Sequence, residues 1–210
     1  MNKFRFGISL VVLTGMILPS CIKHEIIPPP EPVIELTCNF YGVVNGTDVE
    51  LTQNVNGYDN LPTKEKIILS APQLSSATYY ARMGSAQSQR YVQVGLGSIQ
   101  WDASAVNDPS LTQFNDFFLA ATTPPFSDGA VAGFEFEYRD ANGKIWNSHA
   151  VNPNAQAVAF TNIVQESDAA GDYSKFQCNF SCYVYNQDVV TLLWDSIPVQ
   201  NATLKAWFKR

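Results

Sequence analysis

Apolar and polar side chains alternate along most of the chain after residue 33. In the segment 134–139, two phenylalanines and a tyrosine alternate with two glutamates and an arginine, and the next four residues, 140–143, are typical of a tight turn. Successive side chains of an extended strand point to opposite faces, so a period of two places the apolar set on one face. The pattern therefore predicts antiparallel strands joined by turns.

About eleven segments either alternate in this way or are short apolar runs that suit a strand. They include the runs 66–70 and 189–194 and the longer segments 157–165, 173–186 and 203–209. Many short strands with polar turns between them predict an all-β fold. The specific prediction is a two-sheet antiparallel β-sandwich.

One segment has helical spacing instead. Its apolar residues lie three or four positions apart, which places them on one face of a helix. They are Leu111, Phe114, Phe117 and Phe118. Asp108 is a suitable N-cap and Pro109 a suitable first helical residue, so we expect a short amphipathic helix at residues 109–119.

The first 21 residues follow the order of a secretion leader. Lys3 and Arg5 precede an uncharged apolar run at residues 6–18, which Ser20 and Cys21 follow closely. A membrane-spanning helix needs about 20 apolar residues, whereas a shorter run suits the core of a leader that is later removed. The segment therefore predicts export from the cytoplasm.

The end of this leader, Leu18-Pro19-Ser20-Cys21, resembles the lipobox of bacterial lipoproteins. Leu18 stands three positions before the cysteine and Ser20 immediately before it, while Pro19 departs from the usual pattern. The resemblance implies that the Cys21 thiol receives a diacylglycerol, that residues 1–20 are removed, and that the freed amine is acylated with a fatty acid such as palmitate. It also implies that the protein is held at a lipid bilayer.

Residues 22–33 contain consecutive prolines, which favour an extended chain that forms no core. We therefore expect a leader at residues 1–20, a lipid-anchored tether at residues 21–33 and a single folded domain at residues 34–210. This organisation is similar to that of the uncharacterised β-sandwich lipoproteins of the Bacteroidota. That resemblance implies a place in the cell envelope at the outer membrane, facing the periplasm or the cell surface.

Composition narrows the classes of partner. Removing residues 1–20 takes away Lys3 and Arg5 and no acidic residue, so the formal charge falls from −6 to −8. An acidic surface argues against nucleic acid and against a polybasic hold on lipid, because both need clustered Lys and Arg. With 46% apolar residues and 15% charged residues, the chain has enough apolar material for a sizeable core.

Three cysteines remain in the expected domain, and no Cys-x-x-Cys pair is present. Cys178 and Cys182 lie four positions apart in one predicted strand, about 13 Å at 3.3 Å per residue, which is too far for a disulfide. Two alternatives stay open: either of them pairs with Cys38, or all three are small buried hydrophobic residues.

No set of residues predicts catalysis or a cofactor. His149 is the one histidine after the tether, and it has no partner in the sequence that completes a nucleophilic site. Glu166, Asp168 and Asp172 form an acidic loop around a glycine and are a weak candidate for Ca²⁺, which prefers oxygen ligands.

Trp101, Trp146, Tyr79 and Tyr80 are candidates for an aromatic platform that stacks on a sugar or a peptide. The alternative is that these rings fill the core. Together with the anchor, these observations predict a non-catalytic binding module for a glycan or a protein. A structural subunit of an envelope complex is the first alternative, and a hydrolase that uses carboxylates is the second.

Overall fold

The structure is a computed structural model that describes residues 34–129, 132–148 and 156–210. These ranges contain ten β-strands and one α-helix. The strands are β1 (Asn39–Val44), β2 (Thr47–Thr52), β3 (Asp59–Ile67), β4 (Ser75–Ser85), β5 (Ser88–Trp101), β6 (Phe134–Arg139), β7 (Ile145–Asn147), β8 (Ala157–Asp168), β9 (Gly171–Gln187) and β10 (Trp194–Lys209), and the helix is α1 (Leu111–Ala120). The predicted leader, Cys21, the tether and His149 lie outside the described residues.

The expectation of an antiparallel all-β fold with one short helix is confirmed. Hydrogen bonds link nine of the strands in the order β2-β1-β10-β9-β7-β6-β5-β4-β3, and the tenth strand, β8, pairs with β9 beside this path. The strands therefore form one sheet that curls strongly into a half-barrel, and two separate sheets are not seen. A single residue pair, Asn147 with Tyr185, joins β7 to β9.

The concave face of the curled sheet contains the core. Phe136 on β6 packs at 6.2 Å from Phe40 on β1 and at 4.6 Å from Phe180 on β9, measured between ring centroids. Residues from distant strands meet in this way because the alternating pattern puts every second side chain on the concave face. Burial of these rings is the main source of stability for the fold.

The helix α1 lies close to its predicted position, but its N-cap is Ser110 rather than Asp108. The Ser110 hydroxyl accepts a hydrogen bond from Gln113 N, and the Gln113 side chain accepts one from Ser110 N, which completes a capping box. Asp108 instead accepts from Lys64 at 2.6 Å and from Lys66 at 3.3 Å, both on β3. Pro109 consequently precedes the helix.

Two strands are predicted at the wrong positions, because in both cases the apolar run that predicts the strand lies largely in an exposed connection. The apolar run 66–70 marks the end of β3, and its last residues belong to the β3–β4 connection. The run 189–194 forms the β9–β10 connection, apart from Trp194, which begins β10. Both runs turn out to be exposed, so their apolar character does not reflect burial in the sheet.

The three cysteines of the described residues are free and buried. Burial raises the pKa of the Cys182 thiol to about 12, and burial followed by the nearby Asp59 raises that of Cys38 to about 12. A thiol with such a pKa stays protonated and is a poor nucleophile at neutral pH. The alternative of three small buried hydrophobic residues is the one that the structure bears out.

The backbone at Gly133 lies so close to the backbone of residues 125–127 that there is no room for a side chain. This contact gives a first testable prediction. A Cβ atom at Gly133 would collide with the Pro125 carbonyl oxygen and lie 3.0 Å from Ser127 N. Both groups are fixed, because they form 2.8 Å hydrogen bonds with Phe134. We expect Gly133→Ala to lower the free energy of unfolding by about 1–3 kcal/mol, as overpacking does, in urea denaturation.

Gly84→Ala is the matched control. Its Cβ would find Leu61 Cδ1 at 3.4 Å, which is ordinary contact with a side chain. We expect the free energy of unfolding to change by less than about 1 kcal/mol. Equal losses in the two variants would show that the Gly133 contact does not constrain the fold.

Candidate functional site

Three of the four candidate platform rings are covered. Trp101, Trp146 and Tyr79 are 0–6% exposed and belong to the core, so no ligand reaches their faces. Lys144 Nζ also lies 4.0 Å from the centre of the Trp146 ring. The sequence alternative, in which these aromatic residues fill the core, is the correct one for these three.

Tyr80, the fourth ring, is half-buried on the convex face of the sheet. It lies flat over Gly95, where an added Cβ would come within 2.6 Å of the ring. A depression of about 130 Å³ beside it is lined by Glu65, Glu135 and Glu137. Burial and then the charges of Glu135 and Glu65 raise the pKa of Tyr80 well above its usual range. The depression is small and rich in hydrogen-bond acceptors.

The acidic loop does not gather its carboxylates. Asp172 pairs with Ser167, so it lies on the opposite face of the β8–β9 hairpin from Glu166 and Asp168. Glu166 bonds to Lys175 at 2.7 Å and Asp172 to Arg210 at 2.6 Å, while Asp168 accepts hydrogen bonds from the backbone of the turn. Among the described residues, no group of three His, Cys, Asp or Glu side chains is arranged to hold a metal ion.

Among the described residues, the most exposed large apolar side chains lie in the β9–β10 connection and at the first residue of β10. They are 48–89% exposed. They are Val189, Val190, Leu192, Leu193 and Trp194, and we call them the apolar tip. Several exposed aliphatic side chains next to one another mark an interaction site more often than isolated ones do.

The backbone of the apolar tip is held by its own hydrogen bonds. The Asp188 carboxylate accepts from Val190 N at 2.9 Å and from Thr191 N at 2.7 Å. The Asp188 carbonyl accepts from Leu192 N at 2.9 Å, and Asp188 N donates to Leu193 O at 3.0 Å. Because these groups are already paired, the tip can be buried against a partner without leaving those donors unsatisfied.

Backbone geometry also indicates that the tip has one defined conformation. Leu192 has a φ of 58°, in the left-handed region that a branched side chain rarely adopts. The hydrogen bonds around Asp188 hold it there. Such strain is common at binding sites, where it presents a side chain that a relaxed turn would not.

The tip extends beyond the rest of the sheet. On β9 the pairing with β7 is confined to Tyr185, and on β10 the pairing with β1 ends at Val199. Asn186 reaches Ile145 O at 2.8 Å and Asp195 reaches Lys144 at 3.2 Å, which braces the base of the hairpin. The tip is thus a braced projection with exposed side chains.

A second exposed apolar cluster occupies the β3–β4 connection. Its side chains are 39–63% exposed. They are Ile67, Ile68, Leu69 and Leu74, and we call them the β3–β4 patch. The sequence marked both clusters as apolar, but nothing in a local pattern distinguishes an exposed run from a buried strand.

Comparison with known proteins found no relative of this chain. No protein-family model matches the chain, and no curated protein or solved structure matches it. No helix within the described ranges combines the length and apolar character that crossing a membrane requires.

Proposed function

We propose that the protein is a lipid-anchored envelope lipoprotein whose folded domain is a non-catalytic module that binds a partner protein through the apolar tip. The observation that carries this proposal is the exposure of Val189 and Val190, at 89% and 86%, on a braced and internally bonded hairpin. Keeping such side chains in water is unfavourable unless they are buried against a partner.

A protein suits this surface better than a glycan. Glycan sites stack aromatic faces on the sugar and surround it with hydrogen-bonding side chains. Here three of the four candidate rings are buried, and the polar backbone groups of the tip are largely used internally. A partner with a complementary aliphatic surface would remove the tip from water with little loss of hydrogen bonding.

The anchor part of the proposal rests on the lipobox-like residues around Cys21. Glu35, just after the predicted tether, accepts a hydrogen bond from Lys175 at 3.4 Å near the start of β9. The tip begins at Val189, fourteen residues further along this hairpin, or about 45 Å of extended chain at 3.3 Å per residue. The tip is thus far along the hairpin from the residue that contacts Glu35.

We also propose that the fold corresponds to the predicted two-layer sandwich. Strands β3 to β7 and strands β8, β9, β10, β1 and β2 form two halves of the sheet that one residue pair connects. These halves would correspond to the two layers of the predicted sandwich.

Photo-crosslinking in cells tests the binding surface. We expect p-benzoylphenylalanine in place of Val190 to capture a protein at a discrete mass, and the same group in place of Val55 to capture none. Val55 is a good control because it is 51% exposed on the β2–β3 turn, away from the tip. Adding Leu193→Asp should reduce capture at position 190 about tenfold or more, as the loss of an interface anchor does.

Two results would refute this function. The first is the absence of any adduct at position 190 under conditions in which the protein is correctly folded. The second is the same set of adducts at positions 190 and 55, because it would show that the tip has no preference for a partner.

A further inference from the structure

Leu192 of the apolar tip differs from every other non-glycine residue that has a positive φ in the described ranges. The other residues with this geometry are all asparagines. They are Asn45, Asn54, Asn56, Asn162 and Asn201. Asparagine tolerates the left-handed region because its short polar side chain can hydrogen-bond locally, whereas a longer side chain is strained there. The described part of the chain thus uses asparagine at such positions everywhere except at the tip.

Packing within the domain does not account for this leucine. The Leu192 side chain is 65% exposed, so the strain at its backbone is not offset by burial of the side chain. An asparagine at this position would relieve the strain and would leave less apolar surface in water. A contact that forms when the tip is bound accounts for both the strain and the exposure.

The backbone of Leu192 is held from both sides by the two residues that precede the tip. Leu192 N donates to the Asp188 carbonyl at 2.9 Å, and the Gln187 side chain donates to Leu192 O at 3.0 Å. Both polar groups of the Leu192 backbone therefore have partners within the turn. These bonds keep the side chain in one place while it is exposed.

The Asp188 carboxylate holds the rest of the turn through a single atom. Its Oδ1 accepts from Val190 N at 2.9 Å, from Thr191 N at 2.7 Å and from Thr191 Oγ1 at 2.9 Å. An asparagine amide offers the same oxygen without the charge, and an alanine offers no acceptor. The turn therefore needs an acceptor at position 188 rather than a negative charge.

We infer that Leu192 is an anchor of the apolar tip, a side chain that the partner buries, and that Asp188 is the residue that positions it. This inference rests on the proposed function, in which the tip binds a partner protein. Asp188 acts through the backbone of the turn and does not itself touch the partner. A turn that is already ordered loses less conformational freedom on binding, which raises its affinity.

Competition in cells tests the role of Leu192 without altering the crosslinking group. One full-length copy carries p-benzoylphenylalanine in place of Val190, and a differently tagged copy without this group is produced in excess. The native competitor should suppress capture, and a competitor with Leu192→Asn should be about tenfold less effective, as the loss of an interface anchor is. A competitor with Val55→Asn is the matched control, because Val55 is also an exposed aliphatic residue, and it should act like the native chain.

Urea denaturation of the purified full-length protein separates a contact role from a structural one. Leu192→Asn relieves the left-handed strain and keeps the backbone groups of the turn, so its midpoint should equal or exceed that of the native chain. Weaker competition together with an undiminished midpoint is the result that the inference requires. A lower midpoint would show that the leucine serves the fold, and the anchor role would be wrong.

Asp188→Ala and Asp188→Asn test the positioning role. As competitors, we expect Asp188→Ala to be about fivefold less effective than the native chain, as the loss of a capping acceptor is, and Asp188→Asn to stay within about twofold. Amide hydrogen exchange at Val190 and Thr191 should be faster in Asp188→Ala alone. Asp195→Ala is the control, because its carboxylate binds Lys144 outside the turn, and it should change neither measurement.

The possible failures are distinguishable. Equal losses for Asp188→Ala and Asp188→Asn would show that the charge itself contacts the partner, and native competition by Asp188→Ala would show that the turn need not be held. Capture that Leu192→Asn suppresses as well as the native chain does would refute the anchor and leave the proposed function intact. The absence of any capture at position 190 would refute both.

Discussion

Replacing Cys21 with alanine is expected to abolish incorporation of fatty acid into the protein. In the proposed anchor the thioether forms on the Cys21 sulfur, and alanine has no nucleophilic atom at that position. The measurement is labelling of cells with an alkyne-bearing palmitate, followed by coupling to a fluorophore and a gel. Labelling is a better readout than fractionation, because an unprocessed leader at residues 1–20 would itself hold the chain at a membrane.

Cys38→Ala is the control for this prediction. Cys38 is a buried free thiol, so its removal should leave the fatty-acid label unchanged. The Cys21→Ala chain should also retain its leader and migrate as a larger species. Label that persists on Cys21→Ala would refute the anchor. In the processed protein, the proposed acyl chains would stabilise attachment by about 0.8 kcal/mol per buried methylene.

Phe208→Ala is expected to give the largest loss of stability. Phe208 is fully buried on β10 and stacks at 4.7 Å on Phe118 of α1 and at 4.6 Å on Phe176 of β9. Its removal takes away apolar burial and leaves a cavity between the helix and the sheet. We expect the free energy of unfolding to fall by about 3–5 kcal/mol, measured by urea denaturation at equilibrium.

Tyr183→Ala provides the comparison on the convex face. Tyr183 is an aromatic residue of similar size on β9, but its side chain is 39% exposed. We expect its loss to change the free energy of unfolding by about 1 kcal/mol or less. If both variants lost the same stability, the assignment of the concave face as the core would be wrong.

Strand β6 and helix α1 show how much of the fold a local sequence pattern can predict. Strand β6 (Phe134–Arg139) has the bounds that its alternation predicts, and α1 begins two residues later than expected. In both cases the apolar residues recur with a period that only one kind of element can place on a single face. The information needed for these predictions lies within a few residues.

The N-cap of α1 shows where such predictions fail. Asp108 and Ser110 are both good caps, and the sequence around them does not rank one above the other. Lys64 and Lys66, more than forty residues earlier, bind Asp108, and Ser110 caps the helix instead. The choice depends on a contact between distant segments.

The aromatic platform was predicted wrongly, and the apolar tip was not predicted, for the same reason. A large aromatic residue such as Trp101 can stack on a ligand when it faces water, and it packs in the core when another strand covers it. The residues next to it in the sequence look the same in both cases, so they do not distinguish the two. The run 189–194 looks like a buried strand because most of its residues are apolar. It is exposed because, within the described ranges, no strand outside the hairpin pairs with β9 beyond Tyr185.

The sequence by itself determined most of the local conformations, because strand, turn and helix preferences are read from adjacent residues. The lipid anchor is a prediction that likewise rests on a short motif of adjacent residues. Only the tertiary structure decided which strands are neighbours, which rings enter the core and which aliphatic runs remain in water. Those outcomes depend on which distant segments cover one another when the sheet curls, and a residue's own neighbours in the chain carry no record of that.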